Sequence, residues 1–577
     1  MTRPTHLASL IRSTALAVIA AAFLCTIATG VSQAAKKSPL IDAMKTELAR
    51  SMQGLTAKGD PPPYFISYYV NETYRTSLSV SYGAVNGRTE SHDRKLDIDV
   101  RVGHYDFDNT HRIRGDRFAR FTAMTQRAVD LPIEDDTDAL RAALWIETDK
   151  RYKQAVAQLI KVKGNSAVRV DAEDQSADFS REDATEYIGE TASVKLNGEK
   201  WEKRLAKLSK AFEAWPLIYQ SSMQLTSTAS TRHIVNTEGT VIREPTTLLR
   251  LTVYAFTRAE DGMDLFRFES FDAHTPDQLP NDETIEAAVE QMANDLMALR
   301  DAPMIEPYTG PAILEGRAAG VFFHEIFGHR IEGHRQKDEN EGQTFTKKID
   351  QPVLPDFISV YDDPTTQEMN GVALRGYYRH DDEGVASSRV TVVEKGVLKN
   401  FLMSRAPVEG FDKSNGHGRK MSGRQAVGRQ GNLIIEASET VSEARLKEML
   451  IEECKAQGKE FGLVFKDISG GFTMTGRVIP QAFTVMPIMV FRVFTDGREE
   501  LVRGADLIGT PLVSFSEIKA CGDKIDVFNG TCGAESGWVP VSAIAPSVFT
   551  AQIEIQKKEK SQDRPPLLAA PVRKGGS

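Results

Sequence analysis

The chain has 577 residues and a formal net charge of −9 at pH 7. A chain of this length exceeds what one hydrophobic core supports, so two or more domains are expected. Hydrophobic residues make up 41% and charged residues 26% of the sequence, which is ordinary for a soluble globular protein. Because binding to nucleic acid phosphates needs a basic surface, the acidic balance argues against a nucleic acid partner.

The first residues have the pattern of a secretory signal. Arg3 and Arg12 precede an apolar run over about residues 14–31, and small residues follow at the positions that a signal peptidase reads. Residues 1–34 are therefore predicted to be a signal peptide, and the protein to be exported, either periplasmic or secreted. The alternative is a retained anchor, because the run is nearly long enough to span a bilayer. No later segment is apolar enough, so no stable membrane anchor is expected after signal removal.

Cysteine usage gives a further constraint. Cys454, Cys521 and Cys532 remain after the predicted signal is removed. With an odd number of cysteines in an exported protein, at least one thiol must stay free, pair between chains or bind a metal.

Residues 35–302 have the pattern of an antiparallel sheet with flanking helices. Alternating apolar residues and the turn signal Asn86-Gly87 predict a hairpin over residues 64–102. A second hairpin is predicted over about residues 223–257, with its turn near Glu238-Gly239. Apolar residues at helical spacing predict helices that begin after Ser38 and that cover about residues 137–162, 199–215 and 282–300.

Residues 303–557 are predicted to form a second domain in which strands dominate. Turn residues at 394–396 and 496–497 separate two pairs of strands, and residues 439–457 form an amphipathic helix. The tail, residues 558–577, is predicted to be disordered. The expected fold is α+β with two domains, an N-terminal antiparallel sheet with flanking helices and a C-terminal domain rich in antiparallel strands.

Chemistry is concentrated in the segment His324-Glu325-Ile326-Phe327-Gly328-His329. In the zinc-peptidase motif H-E-x-x-H the two histidines lie about 40° apart around a helix and can share one metal ion. Here the second histidine comes one residue later, so on a regular helix the two would diverge by about 140°. A shared metal therefore requires either a π-bulge or a helix that ends near Gly328. The alternative is a buried helix with incidental histidines.

A catalytic zinc ion has three protein ligands and an open position, so the two histidines need a third ligand. Cys532 is the best candidate because it lies between small residues in the segment 529–533. Two alternatives stay open, a disulfide between Cys521 and Cys532 and a ligand role for His334. Glu325 cannot easily share the metal with the adjacent His324, so its natural role is that of general base.

As a set, these motifs resemble the TldD/PmbA family of metallopeptidases. The resemblance covers most of the mature chain and is strongest from residue 310 to residue 547. Its motifs are Ala318-Ala319-Gly320, His324-Glu325-x-x-x-His329, Ile331-Glu332-Gly333, Asp381-Asp382-Glu383-Gly384-Val385, Leu501-Val502-Arg503-Gly504, Leu507-Ile508-Gly509-Thr510-Pro511, Asn529-Gly530-Thr531-Cys532-Gly533 and Val539-Pro540-Val541-Ser542.

The resemblance implies that His324, His329 and Cys532 bind Zn²⁺, that Glu325 is the general base, and that the chain is of the active TldD-like type. The implied activity is hydrolysis of peptide bonds in peptides or unfolded chains, by a homodimer or by a heterodimer with a TldE/PmbA-like paralogue. The alternative is a substrate-binding or assembly subunit of a TldD/TldE-like complex, which needs a paralogous partner for activity.

Two departures limit the transfer. Better-known members are cytoplasmic, whereas this chain has the predicted export signal. The loop 421–425 also differs from the family's segment, so an oxyanion role for Arg424 is a separate hypothesis. Other polar residues are either cleft residues or, as we favour, ordinary loop residues; these are Tyr377, Tyr378, His380 and His417.

Overall fold

The computed structural model describes residues 38–113, 127–166, 174–477, 483–509, 511–561, 563–568 and 571. Within these residues the strands form two large sheets, one in each half of the chain, with helices packed against them. The α+β fold class is therefore confirmed, whereas the domain boundary at residue 302 stays a prediction. The predicted signal peptide lies outside the described residues. In the part of the chain that is described, no helix is long and apolar enough to cross a membrane.

The first sheet has eight strands among the residues described, in the order β3-β2-β1-β6-β7-β5, with β4 on β2 and β8 on β7. Every pairing in it is antiparallel except that of β5 with β7. Its elements are α1 (Pro39–Lys58), β1 (Pro63–Ser81), β2 (Ala84–His104), β3 (Phe107–Asp108), β4 (Val129–Asp130), α2 (Thr137–Ser166), β5 (Glu186–Ile188), α3 (Gly198–Ser209) with a 3₁₀ turn Lys210–Ala214, β6 (Gln220–Asn236), β7 (Val241–Arg258), β8 (Asp264–Ala273), a 3₁₀ turn Pro276–Gln278 and α4 (Asp282–Asp301).

The helix predicted after Ser38 begins there for the expected reason. The backbone N–H of Ile41 donates to Ser38 Oγ at 3.4 Å, and Pro39 occupies the first turn, where its missing N–H costs nothing. Buried residues then recur at helical spacing, including Met44 and Leu48, and pack with α2 against β1 and β2. Burial of this apolar stripe fixes the helix on the sheet.

The turn predicted at Asn86-Gly87 is wrong. The chain reverses at Tyr82-Gly83 instead, where φ is 47° and 81°. Two consecutive positive φ values make the turn whose twist matches that of the flanking strands. Asn86 lies inside β2 as the extra residue of a bulge, because the cross-strand register shifts between Ser79 and Val80. The turn predicted near Glu238-Gly239 is confirmed, with φ of 103° at the glycine.

The second sheet has eleven strands among the residues described, and β23 pairs with β17, β21, β22 and β9. Both predicted hairpins are present in it. The elements of this half are β9 (Tyr308–Leu314), α5 (Gly316–Ile326) with a 3₁₀ turn Gly328–Arg330, α6 (His334–Lys337), β10 (Ile358–Asp362), β11 (Glu368–Met369), β12 (Val372–Ala373), β13 (Val390–Glu394), β14 (Val397–Leu398), β15 (Gly418–Arg419), β16 (Val427–Gly428), β17 (Asn432–Ala437), α7 (Glu443–Ala456), β18 (Phe461–Thr473), β19 (Phe483–Phe494), β20 (Glu499–Val502), β21 (Ala505–Gly509), α8 (Pro511–Ser516), β22 (Ile518–Ala534) and β23 (Gly537–Lys557).

Helix α5 is a core element of the second half rather than a surface helix. Phe322, Phe323 and Phe327 pack edge-on or stacked against Phe515, and Phe322 also meets Phe483. Aromatic contacts of this kind bury large apolar areas and fix the position of the helix. The end of α5, which carries the two histidines, is therefore held rigidly.

Candidate metal centre

The helix ends where the spacing of the histidines requires it to end. Helix α5 stops at Ile326, Phe327 has φ −104° and ψ −53°, and a 3₁₀ turn follows. This tighter turn brings His329 back beside His324, so that the ring centroids lie 5.1 Å apart with an interplanar angle of 77°. Of the two options that the sequence allowed, the helix that ends near Gly328 is confirmed.

Gly328 is needed at this point because of a close approach. A Cβ at this position would overlap the side chain of Gln430. Gln430 Nε2 in turn donates to the carbonyl of His324 at 3.4 Å. A larger residue at position 328 would displace the buried amide from the turn that joins the two histidines.

Cys532 reaches the two histidines from the hairpin of β22 and β23. It lies opposite Val539, near the end of β22. Its Sγ atom is 3.2 Å from His324 Nε2 and 3.2 Å from His329 Nε2. All three residues are buried, and in the part of the chain that is described their ligand atoms form the one group of this kind, within 4.8 Å of one another.

The spacing suits a small tetrahedral ion. Bonds of about 2.3 Å to sulfur and about 2.0 Å to nitrogen, at tetrahedral angles, put the ligand atoms roughly 3.5 Å apart. The observed distances of 3.2 Å between Sγ and each Nε2 need only a small outward movement. Two imidazoles and a thiolate are also ligands that zinc prefers, so the residues fit this metal. The ligand roles themselves stay a prediction.

The structure bears on the two alternatives, a Cys521–Cys532 disulfide and a ligand role for His334. Cys521 and Cys532 lie on the same strand, β22, eleven residues apart. At about 3.3 Å per residue the two would be roughly 30 Å or more from each other, and a disulfide needs Cα atoms within about 7 Å. The disulfide alternative is therefore wrong, and both thiols are free. His334 contacts Glu535 and lies outside the three-residue group.

Glu325 lies beside the group on the final turn of α5. Its Oε2 is 3.9 Å from His329 Nε2, and the residue is 7% exposed. Burial raises the pKa of Glu325, although the two imidazoles oppose the shift. Gly471 of β18 makes room for it, since a Cβ there would lie 2.7 Å from Glu325 Cγ. The carboxylate of Glu325 is therefore held next to the imidazole nitrogen of His329 that faces Cys532.

Glu332, which was not among the predicted site residues, orients His329. Its Oε1 lies 3.2 Å from His329 Nδ1, and its Oε2 accepts from Arg335 Nε at 2.8 Å. Burial alone would raise the pKa of Glu332, but Arg335, His329 and Arg429 outweigh burial and lower it to about 2. The carboxylate is therefore charged, as in the carboxylate–histidine pairs that orient metal ligands. The motif Ile331-Glu332-Gly333, so close to His329, was the available signal.

Arg429 connects the cysteine hairpin to the same carboxylate. Its Nη2 donates to the carbonyl of Cys532 at 3.0 Å, its Nη1 donates to Ser536 Oγ at 2.8 Å, and its Nε is 3.3 Å from Glu332 Oε1. Burial would raise the pKa of the Cys532 thiol, but His329, His324 and Arg429 lower it well below its ordinary value. The cysteine is thus prepared to act as a thiolate, the form that binds metals.

The first sheet also contributes to the site, through Asp97 on β2. This buried carboxylate accepts from the backbone N–H of Gly423 at 2.7 Å and from Lys420 Nζ at 2.8 Å. In the loop that it holds, the backbone N–H of Met421 donates to the carbonyl of Ser536 at 2.9 Å. Asp97 therefore fixes a loop that rests on the hairpin carrying Cys532.

The other polar residues considered in the sequence have structural partners. His417 Nδ1 lies 3.0 Å from Asn415 Oδ1, the Tyr378 hydroxyl donates to the carbonyl of Gly416 at 3.0 Å, and His380 Nδ1 lies 2.6 Å from Glu244 Oε2. That they are ordinary loop residues stays a prediction. Tyr377 packs edge-on near His274, and the oxyanion role of Arg424 stays a prediction.

Comparison with known proteins agrees with this fold. Residues 307–557 match a family model described as the PmbA/TldA metallopeptidase C-terminal domain, and so fall within a metallopeptidase family. The C-terminal part of the chain, residues 307–557, thus belongs to the TldD/PmbA family.

Three relatives show how far the similarity extends. A metalloprotease of Archaeoglobus fulgidus is 29% identical over 240 residues, which are 41% of this chain and 51% of that protein. A metalloprotease TldD homolog of Buchnera aphidicola is 25% identical over 255 residues, 43% of this chain and 48% of that protein. A zinc metalloprotease TldD homolog of Saccharolobus solfataricus is 30% identical over 95 residues, 16% and 20% of the two chains. The chain thus spans about half the length of the first two relatives and about a fifth of the third.

A solved structure extends the likeness to both halves of the chain. The crystal structure of TldE from Thermococcus kodakarensis superimposes with a TM-score of 0.58 over 89% of this chain and 100% of that one, at 14% sequence identity. At this identity the likeness shows the fold alone.

Proposed function

We propose that this protein is an exported, zinc-dependent peptidase that hydrolyses peptide bonds in peptides or unfolded chains. The observation that carries the proposal is the buried group of His324, His329 and Cys532 with Glu325 beside it. The names of the relatives support a metal-dependent peptidase, and one of those names specifies zinc.

In this mechanism His324, His329 and Cys532 would hold the metal, and Glu332 would keep the His329 ring in the required orientation through Nδ1. The chemistry that a zinc ion would supply there is that of a Lewis acid for the scissile carbonyl and for water. Glu325 accepts a proton from the attacking water and delivers it to the departing amine nitrogen. Because burial raises the pKa of Glu325, the carboxylate holds that proton better than an exposed glutamate would.

The burial of the site limits the substrate. His324, His329 and Cys532 are only 6–7% exposed, so a rigid folded surface would not reach them. A slender, extended peptide meets this restriction, and a flexible or unfolded segment can adopt that shape. Peptides and unfolded chains are therefore the proposed substrates.

Export and assembly complete the proposal. The N-terminal pattern supports a periplasmic or secreted location. The TldD/PmbA family and the likeness in fold to TldE support a homodimer or a heterodimer with a TldE/PmbA-like paralogue. Fractionation of cells that produce the full-length chain, and the mass of the purified protein in solution, test these two points.

The experiment for the activity compares two variants of the purified mature chain. Glu325→Gln is expected to keep its zinc and to lose peptide cleavage by about 10²-fold or more, because the proton acceptor is removed. The control is Glu286→Gln, which changes an exposed glutamate of α4 and should keep both. Full activity in Glu325→Gln would overturn the mechanism. Zinc without turnover in the unaltered chain would point to an assembly subunit that needs its partner.

A further inference from the structure

Cys532 lies near the free end of a two-stranded ribbon, residues 530–541. Among the strand pairings of the described residues, β22 and β23 pair only with each other over this range, and β23 meets β17 from Ser542 on. A two-stranded ribbon has little stability of its own in water. Contacts made by side chains are therefore needed to hold Cys532 Sγ at 3.2 Å from His329 Nε2.

Glu535 makes such a contact at the turn of the ribbon. It is the first residue of the turn between β22 and β23, and it follows Cys532 by three residues. Its Oε2 accepts from Arg335 Nη2 at 3.2 Å, and its Oε1 contacts His334 Nε2. Both partners lie on α6, directly after the 3₁₀ turn that carries His329. The end of the ribbon is thus tied to the segment that carries the second histidine.

Arg335 is shared between Glu535 and two other carboxylates. Its Nε donates to Glu332 Oε2 at 2.8 Å, and its Nη1 donates to Glu341 Oε1 at 3.2 Å. Burial would lower the pKa of Arg335, but Glu535, Glu332 and Glu341 outweigh burial and raise it. The guanidinium is therefore charged, and charge-assisted hydrogen bonds of this kind are strong and directional.

Through these carboxylates Arg335 connects both sides of the candidate metal centre. On one side Glu332 Oε1 lies 3.2 Å from His329 Nδ1, and on the other side Glu535 holds the ribbon of Cys532. A planar guanidinium presents its donors in fixed directions, so it also fixes the two carboxylates relative to each other. This matters because the distances in a metal site are set to within about 0.2 Å.

We propose that Glu535 and Arg335 are positioning residues that hold Cys532 at metal-binding distance from His329. The proposal rests on the proposed peptidase function, in which Cys532 is the third metal ligand. Neither residue touches the metal or the substrate, since one acts through the ribbon and the other through Glu332. Loss of the contact leaves the two histidines in place and lets the thiolate move away from them.

The first test needs no metal. The purified mature protein is freed of metal with a chelator, and the alkylation of each cysteine by iodoacetamide is followed by mass spectrometry. In Glu535→Gln the rate at Cys532 is expected to rise about tenfold, because a neutral amide binds the guanidinium more weakly than a carboxylate does. Freer access raises this rate by the same factor at several pH values. The buried Cys454 and Cys521 should stay slow in both proteins and report an intact fold.

The second test replaces zinc by Co²⁺, because a cobalt–thiolate bond has a charge-transfer band in the near ultraviolet. The unaltered protein should show this band. In Glu535→Gln the band should weaken at saturating Co²⁺, and the affinity for zinc should fall about tenfold. The matched control is Asp523→Asn, which removes an exposed carboxylate from the same strand, β22, and should change neither quantity nor the alkylation rate.

A second variant tests the pairing of the two residues. Arg335→Lys keeps the charge, but one ammonium group cannot contact both carboxylates in the geometry of the guanidinium. It should therefore weaken the cobalt–thiolate band at least as much as Glu535→Gln does. The double variant should lose no more zinc affinity than Arg335→Lys alone, because both changes break the same contact.

An alkylation rate and a cobalt–thiolate band in Glu535→Gln equal to those of the unaltered protein would overturn the proposal. Additive losses in the double variant would overturn it as well. Rapid alkylation of Cys454 and Cys521 in Glu535→Gln would do the same, because it would show a general role in folding. Peptide cleavage is measured separately. If the unaltered protein has the cobalt–thiolate band and the expected variant effects but cleaves no peptide, the peptidase function is contradicted and the positioning role is kept.

Discussion

His233 of the first sheet and His329 of the metal centre are buried to a similar degree, 3% and 6% exposed. Burial lowers the pKa of His233 to about 4. At His329 burial acts in the same direction, but Cys532 and Glu332 outweigh it and raise the pKa well above its ordinary value. The comparison teaches that burial alone leaves a histidine neutral inside a sheet. His329 differs because it meets anionic partners at an interruption of regular structure.

Cys532→Ser should have the largest effect, because it removes an anionic partner that distinguishes His329 from His233. Serine offers no thiolate at neutral pH, so the zinc content of the purified protein is expected to fall at least tenfold, and peptidase activity with it. Metal analysis of the folded protein measures this. Cys521→Ala, on the same strand but far from the histidines, is the matched control and should keep its zinc. An unchanged zinc content in Cys532→Ser would show that another residue completes the site.

Glu332→Gln should weaken the metal centre less severely. The neutral amide no longer stabilises a proton on His329 Nδ1, so affinity for zinc is expected to fall about 10- to 100-fold. Competition with a chromophoric chelator measures the affinity on the folded fraction. Glu436→Gln, at an exposed position near the end of β17, is the control. Zinc affinity equal to that of the unaltered protein would contradict the orienting role of Glu332.

Asp97→Asn tests how far the first sheet supports the site. The loop anchored at Gly423 and Lys420 should loosen, with a loss of about 2 kcal/mol in the free energy of unfolding and a fall of several-fold in kcat/KM, while zinc stays bound. Asp93→Asn, on the same strand with its side chain 43% exposed, serves as the control. If Asp97→Asn is destabilised and its kcat/KM is unchanged, the loop has no part in positioning the site.

His233 should have no effect on the site or on stability at neutral pH, and its effect on stability should be visible only in acid. Its folded pKa of about 4 lies below the unfolded value of about 6.5, so the unfolded chain binds more protons between these values. The stability that it contributes is therefore present above pH 6.5 and is lost as the pH falls towards 4, by at most about 1.4 kcal/mol per pH unit. In His233→Gln this dependence of the free energy of unfolding on pH should disappear. Denaturant unfolding at several pH values measures it. The exposed His104→Gln should leave the slope unchanged.

Much of the scaffold follows from local patterns. Helix starts such as that at Ser38, the hairpin near Gly239 and the end of the histidine helix near Gly328 are dictated by capping, by positive φ and by the spacing of the motif. The turn at Tyr82-Gly83 was missed because tyrosine carries no turn signal, whereas the Asn-Gly pair downstream serves a bulge. Local sequence thus predicts where an element starts better than which of two nearby signals turns the chain.

The rest of the site depends on contacts between distant segments. The sequence alone left two roles open for Cys532, a metal ligand or a disulfide partner of Cys521. The disulfide is excluded only by the structure, which places both cysteines on one strand. Arg429 and Asp97 were missed for the same reason, since each meets the cysteine hairpin only after the sheets have assembled. Such long-range pairs leave no period or spacing in the sequence.

The central claim is that His324, His329 and Cys532 share one zinc ion. The most direct measurement is anomalous diffraction at the zinc absorption edge from crystals of the purified mature protein. We expect a single strong peak bonded to both Nε2 atoms and to Sγ. A peak at other residues, or none from protein shown to contain zinc in solution, would contradict this account.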